Sequence, residues 1–204
     1  MATSQSAPRR LVLATGNAGK VRELRELLDG CGWEVLAPAD IALSAPDVIE
    51  GGRSYLENAT LKAIAFSRAA RLPALADDSG LEVDALDGRP GVFSARYGGR
   101  RASDDHQRCG LLLDELRDVP AGRRAARFRA SIVLALPGGA TVSREGTVEG
   151  RIAAEPRGAN GFGYDPVFEL PDGRTMAQIG DEKSAFSHRA LAIRAMIKVL
   201  KELA

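Results

Sequence analysis

Leu11-Val12-Leu13-Ala14, followed by Thr15-Gly16-Asn17-Ala18-Gly19-Lys20, opens the fold. The apolar run ending in Thr-Gly-Asn reads as a buried strand followed by a tight turn. From Ala18 to Asp29, the residues Val21, Leu24, Leu27 and Leu28 recur at helical spacing, and Gly30 stands just past the end. Trp33 to Ala37 reads as a second strand. Strand, glycine turn, helix and strand in that order open an α/β fold.

Working outward, Asp40 to Gly52 is irregular. Ser54 precedes Glu57 in a capping-box pattern, and Leu56, Ala59, Ala63, Phe66 and Ala70 share one helical face. That helix is predicted to end near Arg71, before Pro73. Ala74-Leu75-Ala76 is a short strand running into Asp77-Asp78-Ser79-Gly80. Ser103 to Arg117 reads as a helix with Ser103 as its cap. Arg127 to Leu136 alternates as a half-buried strand does, and Pro137-Gly138-Gly139 turns it into a second strand, Thr141 to Val148. Tyr164 to Leu170 reads as a further strand, and Phe186, Ala190, Ile193, Ile197 and Leu200 mark a C-terminal helix. The expectation is a mixed sheet with helices around it.

At 204 residues, one fairly large domain or one with two lobes is expected. Residues 1–9 read as a disordered tail and 10–204 as the folded domain. A formal net charge of +1 gives no whole-molecule field toward nucleic acid or anionic membranes. No apolar run approaches the ~20 residues that span a bilayer. The N-terminal residues lack the apolar stretch of a secretory signal, so the expected location is cytoplasmic. Cys31 and Cys109 form no CxxC pair and read as reduced thiols.

Five segments could carry chemistry. The turn Thr15, Gly16, Asn17, Ala18, Gly19 and Lys20 lets backbone N–H groups approach an anion, with Lys20 as a mobile positive charge. It is not a Walker A loop, because Val21 stands where that motif needs Ser or Thr. Taken alone, these residues read more readily as an ordinary strand-to-helix turn with a surface lysine. Glu50 through Asn58 offers carboxylates, although Glu57 also has a capping explanation. Asp77 and Asp78 follow an apolar strand, where ligands bind in open α/β sheets and where paired carboxylates suit Mg²⁺; a solvated turn is the alternative. Gly161-Phe162-Gly163-Tyr164-Asp165 frees the backbone to approach a flat ligand on which a ring can stack, or is a turn with core aromatics. Lys183, His188 and Arg189 gather basic groups at the start of the last helix. One Mg²⁺-bound nucleoside triphosphate accounts for all five.

The chain resembles the inosine triphosphate pyrophosphatase family. The resemblance lies in TGNAGK at 15–20, ExG with ENA at 50–59, ADDSGLEVDAL at 76–86, PGVFSARY at 90–97, GFGYDP at 161–166 and KSAFSHR at 183–189. The match is weakest from Gly99 to Arg124. The resemblance implies a mixed α/β fold with an elongated central sheet, two lobes and the active cleft between them. It also implies a homodimer, dependence on Mg²⁺, and hydrolysis of ITP, dITP and XTP to the monophosphate and pyrophosphate. Asp78 would be the proton acceptor and a metal ligand, with Glu50 also at the metal. Thr15 to Lys20 would bind phosphates, with Lys20 also catalytic. Ser79, Phe162, Gly163, Tyr164, Asp165, Lys183, His188 and Arg189 would line the nucleotide site, and Asp77 and Glu57 would support it. Competing readings are a pyrophosphatase for a pyrimidine or methylated nucleotide, and a catalytically silent nucleotide-binding module. The silent module has no need for Asp78 and Glu50.

Overall fold

The computed structural model describes residues 9–48 and 51–203. Glu50 and most of the expected tail, residues 1–8, lie outside the described residues. Strand β1 (Arg9–Leu13) begins one residue before the expected start of the domain. It is followed by α1 (Ala18–Leu28), β2 (Trp33–Leu36), α2 (Tyr55–Ala70) and β3 (Ala74–Val83). Then come α3 (Asp105–Glu115), β4 (Ala125–Ala135), β5 (Thr141–Ile152), β6 (Phe168–Glu169), the single turn α4 (Lys183–Phe186) and α5 (His188–Glu202). The six strands form one mixed sheet in the order β2-β1-β3-β4-β5-β6. β1 runs parallel to both neighbours, and every later pairing is antiparallel.

β3 is longer than expected. It does not stop at Ala76 but carries Asp77-Asp78-Ser79-Gly80 in its middle, paired with β4 through Asp77↔Ile132 and Asp78↔Ser131. The turn preference of Asp, Ser and Gly is overridden by a long antiparallel partner. β1 pairs β3 only at Val12↔Ala74 and Leu13↔Leu75. Beyond Leu75 the chain of β1 has left the sheet for the glycine turn, which opens a crevice against the two carboxylates. Ligands of α/β sheets bind in such a crevice at the carboxyl ends of parallel strands.

The core falls into three clusters, two on opposite faces of one half of the sheet and the third at its other half. In the first half, α1 and α5 cover β1 and β4 from one face through Leu24, Leu28, Ile193 and Met196, while α2 covers the other face through Ala59, Ala63 and Phe66. In the other half, α3 packs on the far half of β3 with Leu81, Leu112, Phe168 and Val167. The start of α5 lies so close to β5 that a Cβ at Gly146 would fall 2.0 Å from the His188 carbonyl oxygen, so only glycine fits.

Two smaller expectations change. The cap of α3 is Asp104, which accepts from Gln107 N at 2.8 Å, and Gln107 reaches back to Ser103 N at 2.8 Å. Ser103 is thus the residue held by the box and Asp104 the one that holds it. Of Tyr164 to Leu170, only Phe168–Glu169 is strand. Pro166 lacks the N–H a ladder needs, and Val167 N turns back to Tyr164 O at 3.0 Å.

Candidate active site

The glycine turn is ordered by its own side chains. Thr15 Oγ1 accepts from Asn17 N at 3.2 Å, and Asn17 caps α1 by accepting from Lys20 N at 3.0 Å. The turn borders a cavity of about 410 Å³ that Thr15, Gly16, Lys20, Lys62, Asp78 and Ser79 line. The positive end of α1 points at the same space.

Because side chains alternate along a strand, Asp77 and Asp78 leave β3 on opposite faces. Each carboxylate has its own cation, so the two do not compete for one site. Asp77 Oδ2 lies 2.6 Å from Lys20 Nζ and 3.1 Å from Arg189 Nη2, on the side of α1 and α5. Asp78 faces α2, with Oδ1 2.8 Å from Lys62 Nζ and Oδ2 accepting from Asn58 Nδ2 at 3.2 Å. Both lysines also converge on the Asp77 carbonyl oxygen, Lys62 at 3.0 Å and Lys20 at 3.4 Å. Two ammonium groups therefore stand on either side of one β3 peptide at the mouth of the crevice.

The two carboxyls differ in basicity. Burial pushes Asp77 upward, but Arg189 and Lys20 outweigh it and hold the group far below the usual carboxylate range. Burial also raises Asp78, and there Lys62 and Lys20 do not fully offset it. Asp77 is a fixed counter-charge, while Asp78 is the better proton acceptor and lines the cavity.

The second half of the site is the turn at Phe162. Gly161 (φ +81°) is required, since a Cβ there would meet the Asp165 carboxylate at 2.0 Å. Asp165 turns inward, accepts from Phe162 N at 3.0 Å and pairs with Lys183 Nζ at 2.6 Å. Burial raises its pKa despite that lysine. Lys183 Nζ and the Arg189 guanidinium lie over the Phe162 ring, 4.9 and 5.6 Å from its centroid. Gly163 and Tyr164 continue the wall of a cavity of about 380 Å³ that reaches Lys20, Ser79, His188 and Arg189. Tyr164 also belongs to the core, where its hydroxyl donates to Ser94 O at 2.9 Å.

His188 and Arg189 are buried rather than exposed on the helix end. The His188 ring stacks on Phe128 at 4.8 Å, and burial together with Arg189 holds its pKa well below the ordinary histidine value. Arg189 reaches Glu23 Oε2 at 2.7 Å, Asp77 at 3.1 Å and Ser79 Oγ at 2.8 Å, while its Nε is buried without a hydrogen-bond partner. Of the predicted residues, the structure thus brings Thr15, Gly16, Asn17, Gly19, Lys20, Asp78, Ser79, Phe162 to Asp165, Lys183, His188 and Arg189 to two cavities that share Asn17, Lys20 and Ser79, while Ala18 lines a separate hollow beside α1. Glu57 is exposed, with its carboxylate accepting from Arg53 N at 2.6 Å.

Sequence reasoning passed over Lys62 and Glu23, and it singled out the segment ending at Asn58 without giving Asn58 a role. Asn58 and Lys62 are one helical turn apart on α2, and a polar pair at that spacing beside an apolar stripe was the available signal. Glu23 is on α1 one turn from Lys20, but nothing local pairs it with Arg189, a residue 166 positions away.

A mixed α/β sheet whose crevice carries a helix N-terminus, two lysines and a buried carboxylate pair defines a protein built to hold a phosphorylated ligand. The family model for the Ham1 family matches residues 11–199, and the chain belongs to that family. A dITP/XTP pyrophosphatase of Thermus thermophilus is 52% identical over 195 residues, covering 95% of this chain and 92% of that protein. A dITP/XTP pyrophosphatase of Bacillus subtilis is 44% identical over 192 residues, covering 93% and 96%. The solved structure of a HAM1 protein from Coxiella burnetii superposes with a TM-score of 0.84 at 40% identity, covering 95% of this chain and 99% of that one.

Proposed function

We propose that the protein hydrolyses the non-standard purine nucleoside triphosphates ITP, dITP and XTP to the monophosphate and pyrophosphate, clearing them from the nucleotide pool. The observation that carries this reading is Asp78, a buried carboxylate of raised pKa that faces the glycine turn between Lys20 and Lys62. Relatives that match nearly full length bear the name dITP/XTP pyrophosphatase. A silent binding module has no use for a basic carboxylate at that place.

In this reading Thr15, Gly16, Asn17, Ala18 and Gly19 bind the triphosphate through backbone N–H groups and hydroxyl, and Lys20 offsets charge developing on the leaving pyrophosphate. Asp78 accepts the proton of the attacking water. Lys62, 2.8 Å from that carboxylate, holds it in place and adds positive charge. Phe162 stacks on the purine, with Gly163, Tyr164 and Asp165 shaping the turn. Lys183, His188 and Arg189 sit at the polar edge of the base or the adjoining phosphate.

The Asp78 carboxylate and the hydroxyls of Thr15 and Ser79 offer oxygen ligands on the cavity wall, among the cations Lys20 and Lys62, and oxygen ligands suit Mg²⁺, the proposed cofactor. Asp78 would hold the ion, together with Glu50. When bound, the ion neutralises phosphate charge and acidifies water, so the protein base need not be strong.

Selectivity follows from donors. Lys183 and the Arg189 guanidinium, which both line the cavity at Phe162, can donate but not accept, which suits the oxygen at ring position 6. The amino group of adenine would leave those donors unpaired, at about 1–3 kcal/mol each. The family resemblance further supports a homodimer in the cytoplasm acting on small-molecule nucleotides, with residues 10–204 as one domain. A panel of ITP, dITP, XTP, ATP, GTP and pyrimidine triphosphates tests the substrate. Highest kcat/KM for the first three is expected, and highest turnover of a pyrimidine triphosphate would replace this reading with a pyrophosphatase of another specificity.

A further inference from the structure

The segment Gly99 to Arg124 carries no motif of its own, yet the first turn of α3 grips the loop on which Phe162 is mounted. Gly161 and Gly163 both have left-handed backbone (φ +81° and +66°), so the turn between them cannot join a helix or ladder and needs outside anchors. On one side, Phe162 N is held by Asp165, itself paired with Lys183. On the other, α3 takes both polar groups of Gly163. Asp105 Oδ2 accepts from Gly163 N at 2.7 Å, and Cys109 Sγ, buried one helical turn later, donates to Gly163 O at 3.4 Å. The other carboxylate oxygen of Asp105 pairs with Arg108 at 2.5 Å, and Arg108 also donates to Ala102 O at 3.4 Å. Asp105 is thereby fixed from behind while it holds the loop in front.

We propose that Asp105 is a positioning residue for the nucleotide: it sets the Phe162 ring against the base by holding the Gly163 N–H, with Arg108 orienting its carboxylate and Cys109 holding the carbonyl of the same residue. The inference rests on the reading of Phe162 as the base-stacking residue. A charge-assisted hydrogen bond to a backbone N–H is stronger than a neutral one, and its loss loosens a turn whose own closing bond, Asp165 N to Phe162 O, is long at 3.4 Å. Misplacing the ring weakens binding of the base. The triphosphate chemistry, on the far side of the crevice at Asp78, is left nearly intact.

The test measures ITP hydrolysis and thermal stability for Asp105→Ala, Asp105→Asn, Phe162→Ala and the Asp105→Ala/Phe162→Ala double variant. Asp105→Ala is expected to raise KM for ITP by about ten-fold, with a much smaller fall in kcat. Asp105→Asn, whose amide oxygen can still accept from Gly163 N, is expected to recover most of that loss. In the Phe162→Ala background, Asp105→Ala is expected to change KM by less than about two-fold, because the residue acts through the missing ring. Unchanged KM in Asp105→Ala while Phe162→Ala raises KM would overturn this inference and leave the stacking reading standing. Full additivity of the two losses would also overturn it, since Asp105 would then act on the ligand by another route. If Phe162→Ala leaves KM unchanged, both readings fall. If Asp105→Ala proves too unstable to assay, Asp105→Ser, whose side chain is too short to hold Gly163 N, takes its place: a raised KM that vanishes in the Phe162→Ala background supports the inference, and an unchanged KM overturns it.

Discussion

Arg189 Nη2 lies 3.1 Å from Asp77 Oδ2, and both side chains are sealed from solvent. This contact joins the last helix to the middle of β3 across the floor of the crevice. Removing one member of such a pair leaves a charge buried without its counter-ion, which costs about 3–5 kcal/mol. Asp77→Ala is therefore expected to lose that much stability in urea denaturation. A loss under about 1 kcal/mol would mean that Glu23 alone suffices to neutralise Arg189.

Asp78→Asn is expected to behave in the opposite way. Burial already works against the ionised form of Asp78, so neutralising it should leave stability within about 1 kcal/mol of wild type. Turnover should fall well over ten-fold, because the proton acceptor is gone. Retention of more than about a tenth of kcat, a barrier change under ~1.4 kcal/mol, would count against the assignment. Paired denaturation and steady-state kinetics on the two Asp variants separate a structural carboxylate from a chemical one.

These neighbouring carboxylates also mark how far the sequence could be read. Asp77 and Asp78 stood out as adjacent acids after an apolar run, but their placement mid-strand on opposite faces depends on the register with β4, a partner some 50 residues away. Short apolar runs and turn-forming residues cannot foretell such a pairing. The helix of Lys62 was legible from its capping box and apolar face. That Asn58 and Lys62 reach Asp78 depends on how α2 docks on β3, which is a tertiary fact. Within the glycine turn, by contrast, the hydrogen bonds of Thr15 and Asn17 are local, and the expected strand–turn–helix appears with Asn17 as the cap.

Phe162→Ala is expected to raise KM for ITP about 5- to 100-fold with a smaller effect on kcat, since base–aromatic stacking contributes about 1–3 kcal/mol. Steady-state kinetics over a wide ITP range would reveal it. Equal loss in kcat at unchanged KM would place the ring elsewhere in the reaction.

His188 gives the fold a pH dependence. Burial and the adjacent Arg189 and Lys183 hold its folded-state pKa below the ordinary 6.5, although Asp77 opposes them. Below pH ~6.5 the unfolded chain takes up a proton that the folded chain refuses, so this residue costs stability as pH falls and nothing above that point. Relative to His188→Gln, the wild type should lose up to about 2 kcal/mol between pH 7.5 and 5.0. Parallel stability curves for the two proteins would show that His188 titrates normally in the folded state.

The most direct measurement is product analysis of ITP hydrolysis with Mg²⁺ and with excess EDTA. Chromatography should show IMP and pyrophosphate appearing in equal amounts with Mg²⁺, and almost no turnover in EDTA. Formation of IDP and orthophosphate, or no product at all with Mg²⁺ present, would contradict cleavage between the α and β phosphates and with it the role given to the crevice around Asp78.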